Sequence, residues 1–485
     1  MSCMTTQHCR ASKSPTSTKV GHEMLKGTMK IELTDVKTGQ TETVLEHNMV
    51  TNALANIFKP LGLVKDPSRM YESFAPYYQK LLGGLLLFDS NIEENADMLY
   101  PPAEAQLVGS AVYGQQNNTT GKVRGSFNQT ESELNLTDRY MKYVYDFQTS
   151  QANGTISCVC LTHANGGYTS YGSSDAVFNS DHPLAVSVDN GYLQYVYTSY
   201  TNANTGDKYN GFTVGVTELL FAIDLDTDAA YYLRFDSGTK LTITKRRAYL
   251  KTVSVLENPR NTKPLMEEWT LDEGFNISGR NCYNFDPATN ALYVCGAANY
   301  QTKVNETFNV LKIDFGTWKT STYTITNTSD VMLSTDGLRY AYVHDGFIYV
   351  KSYNSPYHVY KFELTNSANV VKLKETGMSG IPGLPEFAIN GRIYYDDNGS
   401  DLYIADSATN EFLKPESNRL YSSNRHYCYA PVLGNPMLYF ISCGNYTTIG
   451  FAVISNYLAT INNLSEPVTK TADKTMKVTY IIQEQ

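Results

Sequence analysis

The stretch Asp336-Gly337-Leu338-Arg339-Tyr340-Ala341-Tyr342-Val343-His344-Asp345-Gly346-Phe347-Ile348-Tyr349-Val350 decides how the chain is read. A polar turn ending in glycine launches a short aromatic strand, and a second such turn launches another. Asp-Gly suits these turns because glycine enters positive φ without a Cβ penalty and aspartate bonds local amides. The pattern returns as Asn390-Gly391, Arg392–Tyr395, Asn398-Gly399-Ser400-Asp401 and Leu402-Tyr403-Ile404. Simpler units are Asp189-Asn190-Gly191 before Tyr192–Tyr197, Ala288-Thr289-Asn290 before Ala291–Cys295, and Gly434-Asn435-Pro436 before Met437–Ile441. Intervals of roughly 50 residues, one of them doubled, are the spacing of β-propeller blades. One four-stranded sheet cannot bury both faces, so blades stack around an axis, which also hides strand edges. Residues 185–457 are therefore expected to form a propeller of five blades, or six if Tyr231–Val255 makes one. A β-sandwich with long loops is the alternative.

Outside this region the period differs. Residues 27–46 read as a hairpin, with Thr28–Leu33 alternating apolar and polar side chains. Val50, Leu54, Ile57 and Phe58 lie on one helical face that Pro60 stops. A second helix is expected over 67–80. Tyr140–Phe147 and Gly154–Thr162 read as strands joined through an Asn-Gly turn. Leu464–Lys474 looks polar and loop-like, and Thr475–Ile482 is one more alternating strand. That strand belongs with the sheet begun at 28–46 or 140–162. The fold class expected is mainly β: an N-terminal α+β or β-sandwich attachment domain (21–180 plus 458–485), with the propeller inserted in it or following it. Residues 1–20 are expected to be a flexible tail.

The chain has 485 residues and a formal net charge of -9, which argues against a nucleic-acid partner because phosphate binding needs a basic footprint. Hydrophobic residues make up 42%, too many for a disordered chain. The eight cysteines are too sparse for a disulfide scaffold, and no CxxC occurs. Cys158 and Cys160 point to one face of a buried strand and read as core thiols. The apolar run Leu81–Phe88 is too short to span a bilayer, which takes about 20 residues in a helix, so no membrane insertion is expected. No secretory signal opens the sequence, and synthesis in a reducing cytoplasm is expected.

Catalytic motifs do not emerge. Asp224-Leu225-Asp226-Thr227-Asp228 offers alternate carboxylates, but a calcium loop would need Gly and Glu where Ala229 and Phe235 stand. It reads as a strand end entering an acidic turn. Leu333-Ser334-Thr335-Asp336-Gly337 resembles the Asp-box of sialidases, yet Arg234, Arg246, Arg247, Arg260 and Arg280 form no recognisable cluster. Lys245-Arg246-Arg247 reads as a solvated turn. No catalytic residue, metal ligand or cofactor is assigned, and the chain is read as a non-enzyme. Tyrosine is the most informative residue type: it is stiff and amphipathic, and gives contact area at low entropic cost. Tyr195–Tyr200 and Tyr353-Asn354-Ser355-Pro356-Tyr357 are candidates for stacking on sugar rings, set against plain strand packing.

Gly27–Asp35, Glu46–Asn52, Leu81–Phe88, Phe147–Ile156, Leu161–His163, Leu458–Leu464, Val468–Thr471 and Met476–Tyr480 carry a resemblance. They are similar to tail-fibre or baseplate-associated virion proteins of tailed bacteriophages and prophages of Gram-positive gut bacteria. In that group a shared attachment region carries a variable module. The resemblance implies a virion location on the tail. Its implied partners are other phage tail or baseplate proteins, a homo-oligomeric arrangement on the virion, and a host cell-surface glycan or protein. No heptad seam or collagen-like repeat is present, so a compact tip or baseplate protein is expected rather than a long shaft. The function expected is host recognition through the propeller, by shallow binding multiplied over several copies. A polysaccharide-degrading tailspike-like enzyme and a purely structural tail or head decoration are the alternatives.

Overall fold

The computed structural model describes residues 25–54, 81–99, 101–102, 105–116, 121–135, 137–164, 188–189, 218–237, 240–247, 265–272, 283–296, 301–334, 341–376, 384–389, 391–396, 402–413, 426–443, 449–454 and 457–484. The fold is mainly β, built from antiparallel sheets. In chain order the first strands are β1 (Leu25–Asp35), β2 (Thr41–Val50), β3 (Gly84–Phe88), β4 (Leu107–Val112), β5 (Ser126–Phe127), β6 (Glu133–Asn135), β7 (Tyr140–Phe147) and β8 (Gly154–Thr162). A short β9 (Val188–Asp189) follows.

Among the described residues, five meanders follow. The first is β10 (Glu218–Asp224), β11 (Ala229–Ser237), β12 (Lys240–Arg247) and β13 (Leu265–Asp272). The next segment runs β14 (Tyr283–Asp286), β15 (Ala291–Gly296), β16 (Gln301–Thr302), β17 (Thr307–Asp314), β18 (Thr320–Thr326) and β19 (Leu333–Ser334). Its second meander is β14-β15-β17-β18, and β16 pairs with β19 beside it. The third meander is β20 (Tyr342–His344), β21 (Phe347–Lys351), β22 (Val359–Glu363) and β23 (Val370–Lys372). After β24 (Lys374–Thr376), the fourth is β25 (Leu384–Ile389), β26 (Arg392–Asp396), β27 (Leu402–Asp406) and β28 (Glu411–Leu413), with β24 parallel to β28. The fifth is β29 (His426–Val432), β30 (Asn435–Cys443) and β31 (Ile449–Ile454). Its fourth strand is β9, from the other end of the segment: Asp189 pairs with Val453 and Val188 with Ile454.

The chain closes with β32 (Thr460–Lys470) and β33 (Lys474–Glu484). These strands join β1–β8 in one sheet of order β4-β3-β8-β32-β2-β1-β33-β7-β5, with β6 also on β7. β33 lies between β1, in register from Leu25↔Glu484 to Asp35↔Lys474, and β7. The two halves of the sheet meet where Met49 and Val50 pair with Ile461 and Thr460, and again at their outer edges, where Ser110 of β4 bridges to Arg124 just before β5. Strand alternation explains the core between them. Met29, Ile31 and Leu33 on β1, Met476, Val478, Tyr480 and Ile482 on β33, and Met141, Tyr143, Tyr145 and Phe147 on β7 all turn inward and are buried. β8 is buried on both faces from Ile156 to Leu161, and the Ser157 hydroxyl within it donates to Asp89 O at 2.7 Å. Two tyrosines buried here place their hydroxyls on backbone oxygens: Tyr145 donates to Gly83 O at 2.9 Å and Tyr457 to Leu81 O at 2.7 Å. The same buried cluster continues through Leu220, Ile223 and Tyr232 of the first meander to Phe387 and Tyr394 of the fourth and Val432 of the fifth.

Several expectations change. Leu464–Lys474 is not a loop: β32 runs through it to Lys470 and pairs with β8 on both sides of an irregularity between Asn463 and Val468. Extra residues at that irregularity break the alternation that would betray the strand. Tyr231 and its neighbours do make a unit, the first meander, through β11 and β12, whereas Asp189, read as opening a unit of its own, lies in β9 of the fifth. The two matched repeats are out of phase. β20 is the first strand of its meander, whereas Arg392–Tyr395 lies in β26, the second strand of the next. Lys245-Arg246-Arg247 sits in β12 rather than a turn, with Lys245 Nζ 3.0 Å from Glu267 Oε1. Of the first predicted helix, residues 52–54 are helical. The second helix, the tail 1–20, Tyr192–Tyr197, Tyr195–Tyr200, Asp336-Gly337, Arg260 and Arg280 lie outside the described residues.

Candidate recognition rim

In an antiparallel meander alternate turns fall at the same end. The first-to-second and third-to-fourth turns therefore share one end of each unit, the turn end. The second-to-third links and the connections between meanders share the other, the connection end.

The turn end is built from a recurring five-residue turn. Asp224-Leu225-Asp226-Thr227-Asp228, Asp286-Pro287-Ala288-Thr289-Asn290 and Asp406-Ser407-Ala408-Thr409-Asn410 each begin with an aspartate whose carboxylate accepts from the residues after it. Asp406 Oδ1 takes Ala408 N at 2.9 Å and Thr409 N at 3.0 Å. Each turn ends in a left-handed residue: φ is 53° at Asp228, 48° at Asn290 and 55° at Asn410. Asp and Asn tolerate this conformation better than other L-residues because the short polar side chain bonds locally. Asp314–Trp318 makes a variant, with Trp318 at φ 56°. The repeat was present in the sequence. Its signal was the Asp and Thr three residues apart, rather than the Asp-Gly pairs used above.

Neighbouring meanders are tied here. Tyr283 OH donates to Leu220 O at 3.1 Å, linking the second meander to the first. Asn284 Nδ2 donates to Val343 O at 2.8 Å and its Oδ1 accepts Val343 N at 2.9 Å, linking second and third. Buried His344 meets Asp286 Oδ1 through Nδ1 at 2.8 Å, and Gly391 N of the fourth meander donates to His344 Nε2 at 3.2 Å. In this arrangement Nε2 is the acceptor from Gly391 and Nδ1 faces Asp286. Burial alone would raise Asp286, but the His344 contact, Thr289 Oγ1 and Asp345 N outweigh it and hold the carboxyl below its ordinary range. Lys361 Nζ crosses from the third meander to Ser407 O at 2.9 Å and Asn410 Oδ1 at 3.0 Å. β25 adjoins β29, and the fifth meander meets the first where Ile223 pairs parallel with Val432 and Leu433 N donates to Ile223 O at 2.8 Å.

The connection end is chemically different where it is described. The link from β21 to β22 carries Tyr353-Asn354-Ser355-Pro356-Tyr357-His358. Residues 353–356 are exposed, Tyr353 at 43%. The link is pinned at its base, with Tyr353 N on Met332 O at 2.8 Å, Ser352 N on His358 O at 2.8 Å and His358 N on Ser352 Oγ at 2.8 Å. Lys351 Nζ sits 4.2 Å from the Tyr357 ring centroid, and burial lowers this amine to about 8. His358 Nδ1 contacts Glu375 Oε1 of β24. Tyr360 OH donates to Asp330 Oδ1 at 2.8 Å, which pulls the Asp330 carboxyl down. Burial, the Asp330 bond and the charges of Asp330 and Glu375 raise the Tyr360 phenol. Side chains from three successive meanders thus converge on one rim.

The other sequence candidates resolve simply. Cys158 and Cys160 are buried with Sγ atoms 3.6 Å apart, and burial pushes the Cys160 thiol up. Asp224, Asp226 and Asp228 serve the first turn described above. Arg234 pairs with Asp236 at 2.5 Å and faces Glu268 at 4.0 Å, so it meets acidic strand neighbours rather than other arginines. Ser334 is buried in β19. Among the described residues no group of three or more His, Cys, Asp or Glu is placed to hold a metal ion, and no helix is long and apolar enough to cross a membrane.

No family model matches the chain, and no curated protein sequence does. Solved structures offer slight likenesses. A glutaminyl cyclase from Myxococcus xanthus is 12% identical with a TM-score of 0.27, covering 49% of this chain and 90% of that one. A chain of a mitotic checkpoint complex is 8% identical with a TM-score of 0.25, covering 76% and 91%. A structural genomics protein of unknown function from Bacteroides thetaiotaomicron VPI-5482 is 11% identical with a TM-score of 0.30, covering 88% and 90%. Likenesses this slight bear no inference.

Proposed function

We propose that this chain is a virion protein of a tailed bacteriophage, at the tail tip, fibre or baseplate. It binds the host bacterial surface through residues 185–457, arranged as a five-bladed β-propeller. The anchoring unit is 21–180 plus 458–485. The observation that carries this reading is a double closure. β33 sits between β1 and β7, so both ends of the chain share one sheet, while β9 completes the fifth meander from the far end of the insert. An insert closed on itself and mounted on a sheet made from both flanks suits a variable module on a constant mount. The seams support the blade arrangement: each meander adjoins the next through residues of its first strand or first turn, with further bridges at Lys361 and Tyr360, and the fifth adjoins the first. The resemblance of the flanking segments to tail-fibre and baseplate-associated proteins supplies the virion setting. Several copies on one tail would multiply a weak contact through effective concentration.

Two measurements test the reading. Gold-labelled antibody against the purified chain is expected to mark the tail end of particles from the same genome. The purified full chain is expected to co-sediment with host cells and to slow phage adsorption. Unlabelled particles, or sedimentation equal to that of an unrelated β-rich protein, would remove the proposal. Release of reducing ends from host polysaccharide would instead favour the enzymatic alternative.

A further inference from the structure

We propose that the rim formed by Tyr353, Tyr357, His358, Tyr360, Asp330 and Glu375 is a carbohydrate subsite that takes a neutral pyranose glycan. This inference rests on the host-recognition reading and gives it a ligand class and a place. The chemistry comes from three sources at one spot. Tyr353 offers an exposed aromatic ring on a link whose base is fixed by the Met332 and His358 bonds, so little conformational freedom remains to be lost on binding. Tyr357 lies beside it in sequence, half-buried, with one face occupied by the Lys351 ammonium. Aromatic faces of this kind pack against the C–H faces of a pyranose ring.

The polar groups suit hydroxyls. Asp330 and Glu375 are both exposed carboxylates: Asp330 takes Tyr360 OH at 2.8 Å and its own N–H, and Glu375 meets His358 Nδ1. A carboxylate carries about four lone-pair sites, so one or two such bonds leave acceptor capacity for sugar O–H donors. Tyr360 is buried at 2% exposure, so it orients Asp330 from below rather than reaching the ligand itself. The charges decide the ligand class. Two carboxylates at the mouth repel an acidic sugar, while the Lys351 ammonium is committed to the Tyr357 ring and the Lys372 charge is offset by Asp330 beside it. Neutral hydroxyls meet no such repulsion. Asp330 leaves the second meander and Glu375 leads into the fourth, so the subsite exists only when three neighbouring meanders are assembled.

The test uses the full chain and three probes: intact host cells, deproteinised host cell-wall polysaccharide, and an array of neutral and acidic oligosaccharides. The wild-type chain is expected to bind the polysaccharide and neutral members of the array. Tyr353→Ala and Glu375→Gln are each expected to weaken that binding at least tenfold while leaving the melting temperature within a degree or two. Tyr353→Phe is expected to retain it, since the ring is kept. Variants that bind polysaccharide as the wild type does, or a preference for acidic sugars, would overturn the subsite. Binding to cells but not to polysaccharide would overturn it too, and would leave host recognition standing with a protein receptor. Binding to neither would sink both proposals.

Discussion

The two ends of the meanders differ in what their side chains are for. At the turn end, polar groups are consumed internally: Asp286 serves Ala288, Thr289, His344 and Asp345, and Asp406 serves Ala408, Thr409 and Arg392. At the connection end of the third meander, Tyr353 and two carboxylates remain exposed on a pinned frame. A buried group that loses its partner costs folding energy, whereas an exposed one costs almost nothing. Substitution should therefore separate stability at one end from binding at the other.

The largest effect is expected outside the meanders. Deleting 474–485 removes the strand between β1 and β7, exposing Met29, Ile31, Tyr143 and Tyr145 together. The anchoring sheet should fail to fold, seen as loss of its unfolding transition in calorimetry. A transition that survived would deny that the two ends depend on each other. Next comes Asp286→Ala, expected to cost about 3 kcal/mol in urea denaturation because His344 and Thr289 lose a charged, buried acceptor. The sign of its pH dependence follows from the lowered carboxyl. Stability from Asp286 and Asp406 is present above the ordinary carboxylate pKa and is lost as pH falls below about 4 through the folded-state values. Asp286→Asn should make that acid limb shallower.

On the alkaline side the slope has the same sign. Burial lowers Lys351 and Lys470 to about 8 in the folded chain, so between there and the ordinary lysine value of about 10.4 the unfolded chain binds more protons. Stability should rise with pH across that window. Lys470→Met should remove the part of the rise that belongs to the anchoring sheet, where the amine reaches Asn153 Oδ1 at 2.8 Å. A smaller effect is expected at Asn290, φ 48°: Asn290→Ala should cost about 1 kcal/mol by thermal melting, and Asn290→Gly should be close to neutral. The smallest is Tyr353→Ala, within about 0.5 kcal/mol of wild type. A large loss there would mean the ring is part of the fold rather than a free surface.

Legibility in the sequence followed the strength of local alternation. Tyr140–Phe147 and Gly154–Thr162 were readable to the residue because aromatic and β-branched runs end at Asn-Gly and Gly. β32 was hidden because Asn462, Asn463, Ser465 and Glu466 interrupt its pattern, and because its partner β8 lies about 300 residues away in sequence, where no local signal reaches. The repeat was visible but its phase was not. Asp-Gly and Asn-Gly pairs occur at more than one kind of turn, while the Asp–Thr–Asn/Asp turn marks strand ends and was seen only piecemeal, as a failed calcium loop at Asp224 and as a simple turn at Ala288-Thr289-Asn290. The rim was half legible: Tyr353–Tyr357 stood out, but Asp330 and Glu375 join it only through the packing of separate meanders.

The clasp between β9 and β31 has a mechanical consequence. Val188 pairs with Ile454 just where the chain crosses between the two units, and on the far side β8 and β32 are themselves hydrogen-bonded. Drag on the insert is then shared by its two covalent tethers, whose flanking strands are hydrogen-bonded to each other. A protease that severs one tether leaves the other carrying the load, so the piece in contact with the outside would stay attached after a single cut.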